Sequence, residues 1–274
     1  MTSVADSSAV LRELVNKSGY PLQIAIAHHV SATTSRHGWK VLYEEHGWRD
    51  PDSGQHGFID LVLHFEPLNA VMLLECKRLQ DTDWILIPKD GESEGRRVAK
   101  AYRSHVDVHG VRKSAWRSLP LEPRSPIAEF CVMRRTGGTQ TVEPVAAELV
   151  SATEALAAEE ERYLIAHKNK DARIYYAAIV TTAQLYLCNL DPHAISLKDG
   201  MIPADATFRP VPLVRFTKQL STLAAARVPP SPQALPARWT DMVAESKERT
   251  VFLIQAEALE AFLERYRPDI VQDT

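Results

Sequence analysis

The chain has 274 residues, 45% hydrophobic and 24% charged, the composition of an ordinary globular protein long enough to bury a sizeable core. Its net charge of −3 argues against a polybasic nucleic-acid coat and an acidic tail. Cys76, Cys131 and Cys188 stand singly without CxxC spacing, which argues against a disulfide scaffold or zinc ribbon and fits a reducing compartment. No run approaches the ~18 apolar residues of a membrane span, and MTSVADSSAV lacks the basic and apolar regions of a signal peptide. A cytoplasmic protein without membrane contact is therefore expected.

Ser8 can cap a first short helix, AVLRELVNK, closed by Gly19. LQIAIAHHVSATTSRHG then shows helical apolar spacing and ends at Gly38. WKVLYEE reads as a strand, HGWRDPDSGQHG as a loop, and FIDLVLHF and AVMLLECKRL as two strands joined by the turn residues 66–69. Residues 80–126 are polar with scattered Gly and Pro, and are expected to be irregular. IAEFCVMRR reads as another strand. VEPVAAELVSATEALAAEEERYLIAHK is rich in Ala, Glu and Leu at helical spacing and predicts a long helix. RIYYAAIVTTAQLYLCNLD predicts one long strand or a tight hairpin, and FRPVPLVRF an edge strand, because proline cannot donate to a ladder. The proline-rich stretch at 228–239 reads as a stiff linker, followed by a strand and a final amphipathic helix in RTVFLIQAEALEAFLERY. Adjacent strands followed by a helical crossover imply an α/β fold, a mixed sheet with helices on its faces.

The stretch VMLLECKR carries the chemistry. Side chains alternate along a strand, so Leu73, Glu75 and Lys77 share a face while Leu74 and Cys76 point the other way. A turn at 66–69 sets Asp60 directly opposite Glu75, with Cβ atoms roughly 4.5–5.5 Å apart. Two opposed carboxylates in a partly dry site call for a cation between them. Lys77 supplies part of that charge. A Mg²⁺ ion, which favours one or two carboxylates plus other oxygens, supplies more, with the Cys76 backbone carbonyl as a further ligand. Such a metal polarises a phosphoryl oxygen and acidifies a bound water, which the neighbouring ammonium can orient.

Asp60 in FIDLVL and Glu75-Cys76-Lys77 in LLECKR, with a helix and strand before them and a long helix and strand after, resemble the PD-(D/E)xK nuclease superfamily. The resemblance spans roughly residues 10–190 and implies a restriction-endonuclease-like mixed central sheet flanked by helices. It implies that Asp60 and Glu75 bind catalytic Mg²⁺, for which Mn²⁺ can substitute, and that Lys77 positions or activates the attacking water. Many members carry an extra upstream acid; Glu44 or Glu45 is the candidate here, with Glu13 a weaker one. Ile59 stands where some members have Pro, and the Gln-x-x-x-Tyr pattern of some exonuclease-type members is missing, which argues against exonuclease activity.

Other readings compete. A surface cross-strand ion pair explains Glu75 and Lys77, but not the apolar strands that deliver them. His105, Asp107 and His109 in HVDVH would share one face of a strand and can bind zinc, although a solvated or packed cluster needs no further ligand. The adjacent His28 and His29 diverge on a helix and read as structural. GESEG and TGGT read as turns. Residues 77–135 hold 13 Lys and Arg against eight Asp and Glu, with Trp84, Tyr102 and Trp116 interleaved. That segment is either solvated or a grip on nucleic acid. In the second case Arg78, Lys89, Arg96, Arg97, Lys100, Arg103, Arg112 and Lys113 would contact the backbone.

The expected organisation is a nuclease domain over residues 1–227, with a basic insertion at 80–126, and an accessory C-terminal segment over 228–274. The expected activity is Mg²⁺-dependent hydrolysis of DNA phosphodiester bonds, in restriction, repair or anti-phage defence by analogy of fold alone. Oligomerisation or a protein partner would supply targeting. The alternatives are a catalytically silent module that binds nucleic acid or protein, and an interaction protein in which the hairpin charges are incidental.

Overall fold

A computed structural model describes residues 4–50, 54–79, 82–91, 95–106, 112–135, 138–140, 142–166, 172–220, 246–265 and 267–268. Helices α1 (Val4–Lys17) and α2 (Tyr20–His37) lead into an antiparallel meander of β1 (Lys40–Arg49), β2 (His56–Phe65) and β3 (Ala70–Lys77). Gly38 ends α2 at φ 79°, and its amide donates to the Thr34 carbonyl at 2.7 Å. Between β2 and β3 the chain makes a 3₁₀ turn, Glu66–Leu68, closed by Asn69 at φ 45°. That turn pairs Leu61 with Leu74 and Phe65 with Ala70, which is the expected register.

Helix α3 (Glu143–Ala166) crosses over to β10 (Arg173–Thr181), which lies parallel to β3, with Glu75 level with Ile179. The large sheet continues through β14 (Glu248–Gln255) and β13 (Leu213–Gln219) to β7 (Ile127–Ala128), in the order β1-β2-β3-β10-β14-β13-β7. It separates two apolar layers. Val62, Val71, Leu73, Tyr175, Ala177 and Ile179 pack with α3, while Leu61, Leu74, Cys76, Tyr176 and Val180 pack with α2 and α4 (Leu259–Arg265). This alternation is why β10 reads as a nearly continuous apolar run: both its faces are covered.

Four expectations are corrected. The described residues of 80–126 are not irregular. They form β4 (Asp83–Ile87) and a long hairpin of β5 (Arg96–Val106) and β6 (Arg112–Ser125), whose small and polar side chains hide the period of two. The segment 173–191 is neither one strand nor a hairpin. β11 (Gln184–Asn189) leaves for a second sheet, and the break coincides with the Thr181 hydroxyl accepting the Ala183 amide at 3.1 Å. That second sheet has the order β12-β11-β4-β8-β9, with β8 at Phe130–Arg135 and β9 at Gly138–Gln140. FRPVPLVRF is divided in the same way. Its proline-bearing first part is the edge strand β12 (Thr207–Pro210), but the proline-free remainder is β13, inside the large sheet. Finally, the strand expected to be accessory is central. β14 lies between β10 and β13, because ERTVFLIQ is buried over most of its length and needs a neighbour on each side. The proline-rich 228–239 lies outside the described residues.

Candidate active site

At the open end of the β2–β3 hairpin the backbone ladder ends and a side chain takes over. Asp60 Oδ2 accepts the Cys76 amide at 2.6 Å. Ile59 packs in the same apolar layer as Val62, so strict alternation breaks between them. Gln23 of α2 fixes this kink by donating its side-chain amide to the Asp60 carbonyl at 3.1 Å. Continuing the observed register sets Asp60 opposite Glu75, as the sequence suggests. Lys77 donates its ammonium to Glu75 Oε1 at 2.5 Å. Beyond Lys77 the chain is clamped to the end of β10. The Lys77 carbonyl accepts the Thr182 amide at 3.2 Å, and the Thr182 hydroxyl bridges the amide and carbonyl of Leu79.

Both carboxyls are held above the usual carboxylate range. For Asp60 the main cause is burial, which the Cys76 amide and the Lys77 charge oppose. For Glu75 burial again leads and the Asp60 charge adds to it, with Lys77 opposing. Burial also pushes the Cys76 thiol far up, so it is no thiolate nucleophile. Cys76 contributes its backbone instead. The amide and carbonyl of one strand residue open to the same side, so a carbonyl oxygen faces the Asp60 side of the strand.

Glu45 lies between the pairs Glu44–Leu61 and His46–Ile59, hence opposite Asp60, and its charge raises the Asp60 carboxyl. Its φ of 49° is left-handed, a strain of order 1 kcal/mol for a non-glycine residue. Glu44 is exposed at the level of Leu61. Glu13 is exposed on α1 and paired with Lys17 at 2.5 Å. Sequence reasoning missed Glu148, an exposed residue in the first turns of α3 whose charge also raises Glu75.

Among the described residues no three His, Cys, Asp or Glu side chains form a group able to hold a metal ion. The donors gathered here are two carboxylates and the Cys76 carbonyl, an all-oxygen set suited to a hard cation that keeps several waters.

The residues expected to contact nucleic acid are spread over the end of β3, the turn after β4 and the β5–β6 hairpin. Arg78 donates to the Asn16 carbonyl at 2.7 Å and ties β3 to α1. Lys89 is exposed beyond β4. Arg103 is half-buried on β5 and level with Ile174, which is level with Ala70 at the far end of β3 from Glu75. Five strand residues separate those levels, roughly 16 Å. Lys100 is half-buried on the same hairpin and Lys113 is exposed on it. The side chains of Arg96, Arg97 and Arg112 lie outside the described residues, as do Asp107 and His109 of HVDVH. His29, expected to be structural, meets Glu260 of α4 at 3.0 Å.

Comparison with protein-family models, with curated proteins and with solved structures yields no match.

Proposed function

We propose that this chain is a metal-dependent nuclease of the PD-(D/E)xK type. The observation that carries the reading is the hairpin register that sets Asp60 against Glu75 with Lys77 on the Glu75 carboxylate. The element order supports it: α2, an antiparallel β1-β2-β3 meander, the crossover α3, and β10 parallel to β3. So does the energetics. Opposed, half-buried carboxylates with raised pKa values are destabilising without a cation, and such arrangements cluster at functional sites.

Asp60, Glu75 and the Cys76 carbonyl would hold Mg²⁺ or Mn²⁺, with Glu45 the upstream acid best placed to join them. When bound, the ion would polarise the scissile phosphoryl group and acidify a coordinated water. The kinked β2 and the Cys76 amide orient the Asp60 carboxylate. Glu75 holds the Lys77 ammonium, which is placed to orient the attacking water and to stabilise the hydroxide formed from it. Water oxygen bonds to phosphorus and the phosphorus–oxygen ester bond breaks. DNA is the proposed substrate, with restriction, repair or defence as the setting. Cytoplasmic placement is part of the same proposal; three buried free cysteines suit it, and no helix among the described residues is long and apolar enough to cross a membrane.

A module that binds nucleic acid without cutting it is the second reading. Wild type and Lys77→Ala are to be compared on plasmid, linear and single-stranded DNA with Mg²⁺, Mn²⁺ or EDTA. The nuclease reading expects metal-dependent cleavage by wild type, abolished by EDTA, and a loss of about 10²-fold or more in the variant. Equal nicking by both proteins would defeat it, and DNA binding without cleavage would favour the silent module.

A further inference from the structure

A groove lies between β1 and α3, on the face of the sheet that Glu75 shares. It encloses about 620 Å³ and is lined by Trp48 and Arg49 of β1 and by Glu159, Arg162 and Tyr163 of α3. Arg49 and Arg162 are exposed and make no hydrogen bond or ion pair among the described residues. Tyr163 is 65% exposed, which is unusual for an aromatic ring lining a groove. The one acidic wall residue, Glu159, is met by His46 at 3.4 Å. Trp48 is only 4% exposed, yet its buried Nε1 donates to no group among the described residues. A buried donor without a partner is costly unless a ligand or water completes it.

Trp48 pairs with Gly57 of β2, and a Cβ on Gly57 would lie 3.0 Å from Trp48 Nε1 and 3.1 Å from Glu148 Oε1. Both groups therefore crowd over the bare Gly57 backbone. Trp48 is three residues along β1 from Glu45, about 10 Å.

We propose that this groove binds an unpaired nucleic-acid strand, with Arg49 and Arg162 on its phosphates and Tyr163 stacked on a base. Its link to cleavage rests on the nuclease reading above; the binding does not. Unpaired guanidiniums beside an open ring face match a strand whose bases are free to stack, whereas a duplex keeps its base faces covered. The substrate class that follows is single-stranded or flapped nucleic acid rather than intact duplex.

The test is fluorescence anisotropy in EDTA, so that nothing is cut, with a labelled oligothymidine of about 12 nucleotides and a duplex of the same length. Wild type, Tyr163→Ala, Tyr163→Phe and the double variant Arg49→Ala/Arg162→Ala are compared, each with its fold checked by circular dichroism. Wild type should bind the single strand more tightly than duplex. Tyr163→Ala should weaken single-strand binding by about 5-fold or more while Tyr163→Phe retains it. The double variant should weaken it at least as much and flatten the log K against log[salt] slope by about 1.4, two phosphates' worth. Unchanged single-strand binding in folded groove variants overturns the proposal, as does a duplex that binds equally well through the same residues. Binding that needs the groove in a protein that never cuts with Mg²⁺ upholds the groove and defeats the nuclease reading; cutting with indifferent groove variants does the reverse.

Discussion

Replacing Asp60 by Asn should stabilise the metal-free protein while removing its response to metal. The Asn side-chain oxygen can still accept the Cys76 amide, a contact of 2.6 Å in the native chain, and its NH₂ can turn toward Glu75. The like charge opposite Glu75 disappears. Opposed charges on a sheet are worth up to about 1 kcal/mol, and the partial exposure of both groups keeps the relief at or below that figure. In a chain of this size the gain raises Tm by about 2 °C in EDTA. The pH dependence has a definite sign. A carboxyl whose folded pKa is raised contributes stability that is fully present below the unfolded value and is lost as pH rises through the folded value. Removing the Asp60 carboxyl, and with it the Asp60 part of the Glu75 shift, should flatten the fall in stability between acidic and neutral pH. Scanning calorimetry with and without Mg²⁺ reads all of this. Wild type should gain about 1.4 kcal/mol at ten times its Kd for Mg²⁺, and Asp60→Asn should gain almost nothing. A variant that melts below wild type in EDTA, or that keeps the full Mg²⁺ response, would refute the reasoning.

Two further outcomes follow from the packing. Glu160 is buried beside the start of β10, where it accepts from Arg173 Nη2 at 2.9 Å and from the Tyr175 hydroxyl at 2.7 Å, with the charged Arg173 Nε 2.8 Å away. Glu160→Ala strands the Arg173 charge and should cost about 3 kcal/mol, a Tm loss of at least 6 °C by calorimetry, whereas loss of activity without loss of Tm would contradict a structural role. Gly38→Ala meets both a left-handed φ of 79° and a Cβ only 2.8 Å from the Phe65 ring. It should cost about 1–2 kcal/mol in urea unfolding, and a neutral result would mean that the α2 terminus relaxes freely.

The hairpin was legible because two signals agreed. Turn residues 66–69 fixed the register, and the apolar alternation of β2 and β3 left one assignment of faces. The choice between Glu44 and Glu45 was not legible, since it depends on a left-handed backbone at Glu45 that no residue preference announces. The β5–β6 hairpin was hidden because Ala99 and Ala101 carry its buried face and give almost no contrast with its polar residues. Thr181 looks like any strand threonine, yet its hydroxyl caps the point where β10 and β11 part. Glu148 and the groove between β1 and α3 both depend on where that helix docks, which is set by packing across the whole sheet and by no local pattern.

Anomalous scattering from crystals soaked in Mn²⁺ addresses the central claim most directly. A single strong peak within coordination distance of the Asp60 and Glu75 carboxylates and the Cys76 carbonyl, lost in Asp60→Asn, is the result expected. Ordered density for all three groups at saturating Mn²⁺ with no peak between them would contradict the account.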